Sequence, residues 1–326
     1  MIYIETGSTD IFYNLATEYY YAAMKPLEDT AFLLWRCGPT LVVGKFQNTL
    51  EEIRLDYARA HGINVARRLS GGGTVYFDMG GWEFTFIERD GREAISFQRY
   101  TRPILEALRS LGVPADFNGR NDLLIDGRKF SGNSQYKLPG CTVHHGTLMF
   151  NVDIAQMVAS TSVSDEKILT KSIRSVRERV TNIADHLPRP MDAEAFKEHL
   201  IAHVVGEGGA RLEPGPADRA EIERFAREKL ATWEWRFGRN PKFSIQRAGR
   251  FPGGRIEFRL EVKKGEITQA AVSGDFFGSE RADGLADALI GCRYDRQALR
   301  DRLAERGFDG AVYGITIDDM AATIAD

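Results

Sequence analysis

Residues 67–78 run Arg67-Arg68-Leu69-Ser70-Gly71-Gly72-Gly73-Thr74-Val75-Tyr76-Phe77-Asp78. Three consecutive glycines let a backbone approach a ligand closely and take up positive φ. The two arginines ahead of them carry planar, permanently charged forks that match a phosphate in bidentate fashion. Neither a P-loop nor the dinucleotide fingerprint fits. No Gly-Lys-Ser/Thr follows, and the residues after the loop read as a strand rather than a helix. Taken alone, the segment serves equally well as a wide glycine turn with two solvated arginines.

A second polar run links Gly119-Arg120-Asn121-Asp122 to Gly127-Arg128-Lys129-Phe130-Ser131-Gly132-Asn133-Ser134-Gln135. A lysine held in a pocket is a point charge suited to a phosphate or to a carbonyl under attack. On its own, Lys129 reads more readily as a solvated strand-edge lysine. Asp122 can hold magnesium near phosphates, although an Asx turn at a hairpin entry is the commoner use. His144 and His145 are adjacent in a strand, so they face opposite ways and make a poor two-ligand metal site. One of them lines a pocket or is simply hydrogen-bonded within the fold. Cys141 is either an acyl-accepting nucleophile or a small buried side chain, the second being the default. Lys167, Lys171, Arg174, Arg177 and Arg179 form a basic run, which suits a solvated face, an acidic partner or a nucleotide tail.

These residues must be positioned by the elements around them. Apolar spacing predicts a helix over residues 11–25, with Asp10 as N-cap. Short buried strands are expected at 31–36 and 40–44, and a helix at 50–62 ending at Gly62. Residues 74–77 and 82–87 alternate and read as a hairpin turning at Met79-Gly80-Gly81. A helix follows at 98–111, then a hairpin over 122–131 turning at Asp126-Gly127, and a strand at 145–151. Helices are expected at 191–204 and 217–232, with a plain loop at 206–216 between them. Beyond Trp233-Glu234-Trp235 the pattern becomes a three-strand meander, followed by helices near 283–290 and 295–306. The expected fold is α+β, with mixed, mainly antiparallel sheets flanked by helices. The domains are placed at 1–242 and 243–326, the second a small α+β unit.

The balance of 43 Lys and Arg against 46 Asp and Glu gives a net charge of −3, without the positive excess of a general nucleic-acid binder. Three dispersed cysteines, Cys37, Cys141 and Cys292, form neither a disulfide framework nor a zinc motif. No secretory leader pattern opens the chain and no apolar run is long enough for a bilayer. A cytoplasmic protein without membrane or nucleic-acid partners is expected, with monomer as the default.

Together these segments resemble the lipoate–protein ligase family, within the wider biotin/lipoate ligase fold. The stretches that carry the resemblance are NLATEYY, LVVGKFQN, RRLSGGGTVYFD, GRNDLLIDGRKFSGNSQ, HHGTLMFNVD and SIRSVRERVTNI. The later segment WEWRFGRNPKFSI resembles the entry to the family's C-terminal accessory domain, so the resemblance spans nearly the whole chain. It implies a catalytic domain like those of class II aminoacyl-tRNA synthetases and biotin ligases. It also implies ATP-dependent formation of lipoyl-AMP, with ATP and Mg2+ as cofactors and lipoate as substrate. The lipoyl group then passes to a lysine on apo lipoyl domains of E2 subunits or on the glycine cleavage H protein.

Carried over by position, the resemblance makes Lys129 the catalytic residue, touching both the lipoyl carbonyl and the α-phosphate. Arg68, Gly73, Thr74, Val75 and Tyr76 would bind the nucleotide, with Asn121 and Asp122 near the adenylate. Ser70, Gly71, Gly72 and His145 would border the lipoate, and Phe84, Phe86 and Leu148 are expected to build an apolar tunnel for its tail. No metal ligands are assigned. One departure stands out, since many relatives carry His where this chain has Phe77. The competing readings are an octanoyl or lipoyl transferase of the same fold using Cys141, a transferase that accepts preformed lipoyl-nucleotide, and a non-catalytic lipoate binder.

Overall fold

The computed structural model describes residues 1–89, 95–161, 176, 178–237, 245–263 and 265–325. Its strands, in chain order, are β1 (Ile2–Ile4), β2 (Ala31–Trp35), β3 (Thr40–Val43), β4 (Asn64–Arg67), β5 (Val75–Phe77) and β6 (Gly81–Arg89). They continue with β7 (Ala115–Phe117), β8 (Asp122–Ile125), β9 (Arg128–Leu138), β10 (Cys141–Met149) and β11 (Ala210–Leu212). The last three are β12 (Ile245–Phe251), β13 (Gly254–Lys263) and β14 (Glu266–Gly274). An eight-stranded sheet runs β11-β1-β2-β6-β10-β9-β8-β7, and two three-stranded sheets run β4-β3-β5 and β12-β13-β14. The large sheet is antiparallel except where β1 pairs with β11 and β2, so the fold is mixed α+β as expected.

Strand alternation places the functional side chains. On β6, Trp82, Phe84 and Phe86 enter one core with Ile104 and Leu108 of the helix Gln98–Ser110 and Phe196 and Leu200 of the helix Ala193–Val205. Successive side chains on a strand face opposite ways, and Glu83 and Thr85 therefore project to the other side. That face meets the helix Ile11–Tyr19, whose Ile11, Leu15 and Ala16 pack with Leu33, Trp35 and Val143. Asp10 caps this helix by accepting the Tyr13 N–H at 2.8 Å, and the helix runs on through a π-helical turn to Met24. On β10 the same parity sends His144 into the first core and His145 to the face of Glu83.

The turn at Asp126-Gly127 is as expected, with φ of 50° and 75°, and it joins β8 to β9. Three expectations are corrected. Residues 74–77 and 82–87 are not a hairpin, because β5 pairs with β3 in the small sheet while β6 lies between β2 and β10. Asp78 makes this crossover. Its carboxylate accepts the N–H groups of Gly80 at 2.8 Å and Asp153 at 2.9 Å, and a Cβ on Gly80 would lie 2.0 Å from the Asn151 carbonyl oxygen. Residues 206–216 are not a plain loop, since β11 closes the edge of the large sheet against β1. The helix expected at 50–62 is two helices, Thr49–Glu52 and Leu55–Ala60, because Ile53 turns to extended backbone at φ −133° and ψ 153°. Gly62, with φ 63°, follows the second of them.

The C-terminal meander forms with β12, β13 and β14, and its buried side chains, from Ile256 to Ile324, pack into a cluster of their own. The helices Leu285–Leu289 and Arg296–Glu305 match expectation, and a further helix at Ile317–Ala325 completes the cluster. Residue 242, where the sequence places the boundary, lies outside the described residues, as do Lys167, Lys171, Arg174 and Arg177 of the basic run.

Candidate functional site

The glycine loop is held from behind by its own arginines. Arg68 is buried, and its guanidinium donates to the carbonyls of Val42 at 3.1 Å, Gly71 at 2.7 Å and Gly73 at 2.8 Å, and to Ser70 Oγ at 3.1 Å. Burial lowers its pKa to about 10, against the favourable charge of Glu83, so it remains cationic at neutral pH. Arg67 turns the other way. It donates to the carbonyls of Gly44, Lys45 and Gln47 at 2.9, 2.9 and 2.7 Å and to that of Trp235 at 2.8 Å. Gln47 Oε1 in turn accepts from the Gly44 N–H at 2.8 Å and from Thr74 Oγ1 at 3.0 Å. The loop is therefore a fixed shape rather than a solvated turn.

Under the loop lies a buried charged cluster. Ser70 Oγ is 2.6 Å from His145 Nε2, and His145 Nδ1 is 3.0 Å from Glu18 Oε2 and 3.4 Å from Glu83 Oε1. Thr85 Oγ1 donates to Glu18 Oε1 at 2.5 Å. Burial disfavours charge on His145, but the carboxylates of Glu18 and Glu83 outweigh it and raise its pKa. Burial likewise pushes Glu83 up to about 7, opposed by His145 and reinforced by Glu18. His144 is the contrast. It sits between Gln135 Nε2 at 3.0 Å and Asn133 Oδ1 at 3.2 Å, stacks on Tyr100, and burial drives its pKa well down, so it stays neutral. The two histidines face opposite sides, as strand parity requires.

Lys129 stands on β9 with its Nζ 2.7 Å from Asp122 Oδ1, a charge contact rather than an aligned hydrogen bond. Gly132 makes room for it, since a Cβ there would lie 3.0 Å from the lysine nitrogen. Two cavities meet at this lysine. The larger, about 500 Å³, is bordered by Gly73, Thr74, Val75, Tyr76, Lys129 and the apolar side of Met149, Val152 and Met157. The smaller, about 90 Å³, is bordered by Arg68, Gly72, Glu83, Asn121, His145 and Phe277. Lys129 and Gly73–Val75 belong to both.

A model of the lipoyl protein ligase A/B catalytic domain matches residues 10–205, and a model of the bacterial lipoate protein ligase C-terminus matches residues 240–324. The chain belongs to the lipoate–protein ligase family. It is 40% identical over 299 residues to lipoate–protein ligase 1 of Staphylococcus aureus, covering 91% of each chain. Its fold resembles that of Plasmodium falciparum LipL1, solved with lipoate, at a TM-score of 0.76 and 21% identity, covering 94% of each chain. It is also similar, at a TM-score of 0.66 and 25% identity, to a two-part archaeal lipoate protein ligase described with its E2 lipoyl domain from Thermoplasma acidophilum. That likeness covers 75% of this chain and 98% of the archaeal one.

Of the residues carried over from the lipoate–protein ligase family, Arg68, Gly72, Gly73, Thr74, Val75, Tyr76, Asn121, Lys129 and His145 border one cavity or the other, and Asp122 borders neither. Ser70 and Gly71 stand one layer back from both cavities, Ser70 on His145 and Gly71 against Phe276. Asn121 exchanges bonds with Asn133, through its Nδ2 to the Asn133 carbonyl at 3.1 Å and its carbonyl to the Asn133 N–H at 2.9 Å. The apolar tunnel is corrected. Phe84 and Phe86 belong to the core behind the sheet, and of the three expected residues Leu148 alone borders a cavity. Phe77 stacks on Trp35 with ring centroids 5.9 Å apart, so its aromatic side chain packs within the second core. Cys141 is buried in that same core and borders neither cavity.

The sequence reading missed Glu18, Gln47, Glu83 and Ser134, which donates to the Gly71 carbonyl at 2.8 Å. Glu83 carried a usable signal, being a carboxylate set between Trp82 and Phe84 near the start of a strand. The C-terminal contribution left no such mark. The Gly72 N–H donates to the Phe276 carbonyl at 2.9 Å, Phe46 stacks on Phe276 at 4.5 Å, and Phe277 reaches the smaller cavity. No helix among the described residues is long and apolar enough to cross a membrane.

Proposed function

We propose that this chain converts lipoate and ATP to lipoyl-AMP and pyrophosphate, then passes the lipoyl group to a lysine of a lipoyl-carrier domain. The observation that carries this reading is the position of Lys129 and Gly73–Val75 on the shared border of both cavities. An adenylate needs two adjoining compartments, one for the nucleotide and one for the acyl chain, with the reacting atoms between them. Lys129 then faces the α-phosphate while the lipoate carboxylate attacks it, and afterwards the acyl carbonyl while the carrier amine attacks. Both steps gather negative charge that a fixed cation stabilises. The exposed Gly73 backbone cradles phosphate, and Met149, Val152 and Met157 offer an apolar bed for the base. Arg68 acts by fixing the carbonyls of Gly71 and Gly73.

In this reading His145, Glu83 and Arg68 border the acyl compartment. At about 90 Å³ that compartment is smaller than small-molecule pockets usually are, so entry of a lipoyl chain needs the Phe277 ring to withdraw. Magnesium accompanies the triphosphate, as it usually does when held by few carboxylates. We assign Asp122 to it, as the carboxylate that stands beside Lys129, 2.7 Å from its Nζ. Residues 1–242 form the catalytic domain and 243–326 the accessory domain. The enzyme acts as a cytoplasmic monomer on apo lipoyl domains of E2 subunits and on the glycine cleavage H protein. The T. acidophilum ligase described with its E2 lipoyl domain supports that class of partner.

The test is incubation with ATP, magnesium, lipoate and an apo lipoyl domain, followed by the mass of that domain. The expected result is a gain of one lipoyl group that disappears when ATP is omitted. Acylation that proceeds without ATP, or that requires preformed lipoyl-nucleotide, would overturn the reading.

A further inference from the structure

The larger cavity has a wall that the first 242 residues do not supply. Arg250 on β12 and Arg255 on β13 border it, together with Gly274 and Asp275. The two arginines are directly opposite each other in the antiparallel register. Like charges in that position repel and destabilise a hairpin, so an unrelieved pair calls for an anion. The local carboxylates only partly answer it. Asp275 Oδ2 is 3.9 Å from Arg250, while its Oδ1 accepts the backbone N–H of Arg255. Glu257 is shared between Arg255 and Arg259. Among the described residues Arg250 therefore has only the distant Asp275 contact and remains 67% exposed.

The rest of the cavity limits which anion fits. Met149, Val152 and Met157 make one side apolar, Lys129 and the Gly73 backbone mark the junction with the acyl compartment, and the arginines make the remaining wall basic. A nucleotide with its base on the apolar side and its α-phosphate at Lys129 leaves its outer phosphates for that basic wall. We propose that Arg250 and Arg255 bind the β- and γ-phosphates of ATP and stabilise pyrophosphate as it leaves. In this step a lipoate carboxylate oxygen bonds to the α-phosphorus. The bond from that phosphorus to the oxygen bridging to the β-phosphate breaks, and its electron pair departs with pyrophosphate. Charge develops on the leaving group, where guanidinium groups stabilise it. Transfer to the carrier lysine has no outer phosphates, so both arginines are idle in it. The inference rests on the ligase reading and adds a role for the C-terminal residues in its first half-reaction only.

The experiment compares the full chain with Arg250→Ala, Arg255→Ala and the double variant in two assays. One follows pyrophosphate release from ATP with lipoate, and the other follows transfer from synthetic lipoyl-AMP to an apo lipoyl domain. The expected result is a fall of about a hundredfold in the first assay for the double variant, with a raised KM for ATP. Transfer from lipoyl-AMP stays within about twofold of wild type, and Arg250→Lys with Arg255→Lys recovers part of the loss. Arg250→Ala, at an exposed position, keeps the test open if Arg255→Ala disturbs the Glu257 network. Unchanged pyrophosphate release, or equal loss in both assays, overturns the proposal. Wild-type protein that releases no pyrophosphate overturns the ligase reading as well, and so separates the two failures.

Discussion

Ser70 Oγ lies 2.6 Å from His145 Nε2, and through this contact the glycine loop is tied to the central sheet above a buried pair of carboxylates. The cluster makes stability depend on pH. Burial raises Glu83 from about 4.5 to about 7, and the neighbouring carboxylates raise His145 against its own burial. A group whose pKa is raised by folding binds its proton more tightly in the native state. Its stabilisation is complete below the unfolded value and is lost as pH climbs through the folded one. Wild-type protein therefore loses melting temperature relative to Glu83→Gln between pH 5 and pH 8. Thermal scans that run parallel across that range would show that the cluster does not titrate.

Arg68→Met removes the donors that hold the carbonyls of Val42, Gly71 and Gly73 in a buried site. The Gly71 carbonyl keeps the Ser134 hydroxyl as a donor, and a buried carbonyl left without any donor costs about 1–3 kcal/mol. The variant is expected to melt several degrees lower and to lose activity through a disordered loop. An unaltered melting temperature would assign Arg68 to ligand contact alone.

Adjacent glycines in the loop have different tasks. A Cβ on Gly71 would lie 2.1 Å from the Phe276 carbonyl oxygen, whereas one on Gly73 meets nothing within 4 Å. Gly71→Ala thus forces the C-terminal residues off the loop, at about 1–3 kcal/mol for overpacking. Gly73→Ala keeps wild-type stability but crowds the cavity and raises the KM for ATP. Denaturant titration and initial rates together distinguish the two, and identical behaviour would contradict the assignment.

Cys141 is buried in the core beside Tyr136 and Val143 and borders neither cavity. Cys141→Ser is expected to ligate lipoate at close to the wild-type rate, measured at a temperature well below unfolding. Loss of acyl transfer in a folded variant would restore the thioester alternative.

Local chemistry explains what could be read from the sequence. The glycine loop and the Lys129 segment are contiguous, and the Asp126-Gly127 turn and the Asp10 cap are set by residues within a few positions. Partner choice between strands is not local. Nothing in residues 74–87 says that β5 prefers β3 to β6, and three-residue strands such as β1 and β11 are too short to display alternation. The charged cluster draws Glu18 from the first helix, Glu83 from β6 and His145 from β10, so no single stretch displays it. The same holds for Phe277 and Arg250, which reach the cavities only because the C-terminal meander folds back onto the loop.

The central claim is that one fixed cation, Lys129, serves both half-reactions from the junction of the two cavities. Its most direct test is Lys129→Ala assayed separately for pyrophosphate release from ATP with lipoate and for transfer from lipoyl-AMP to an apo lipoyl domain. The account predicts a wild-type melting profile with both rates reduced by about 10²-fold or more. A folded Lys129→Ala variant that keeps either half-reaction at the wild-type rate would contradict it.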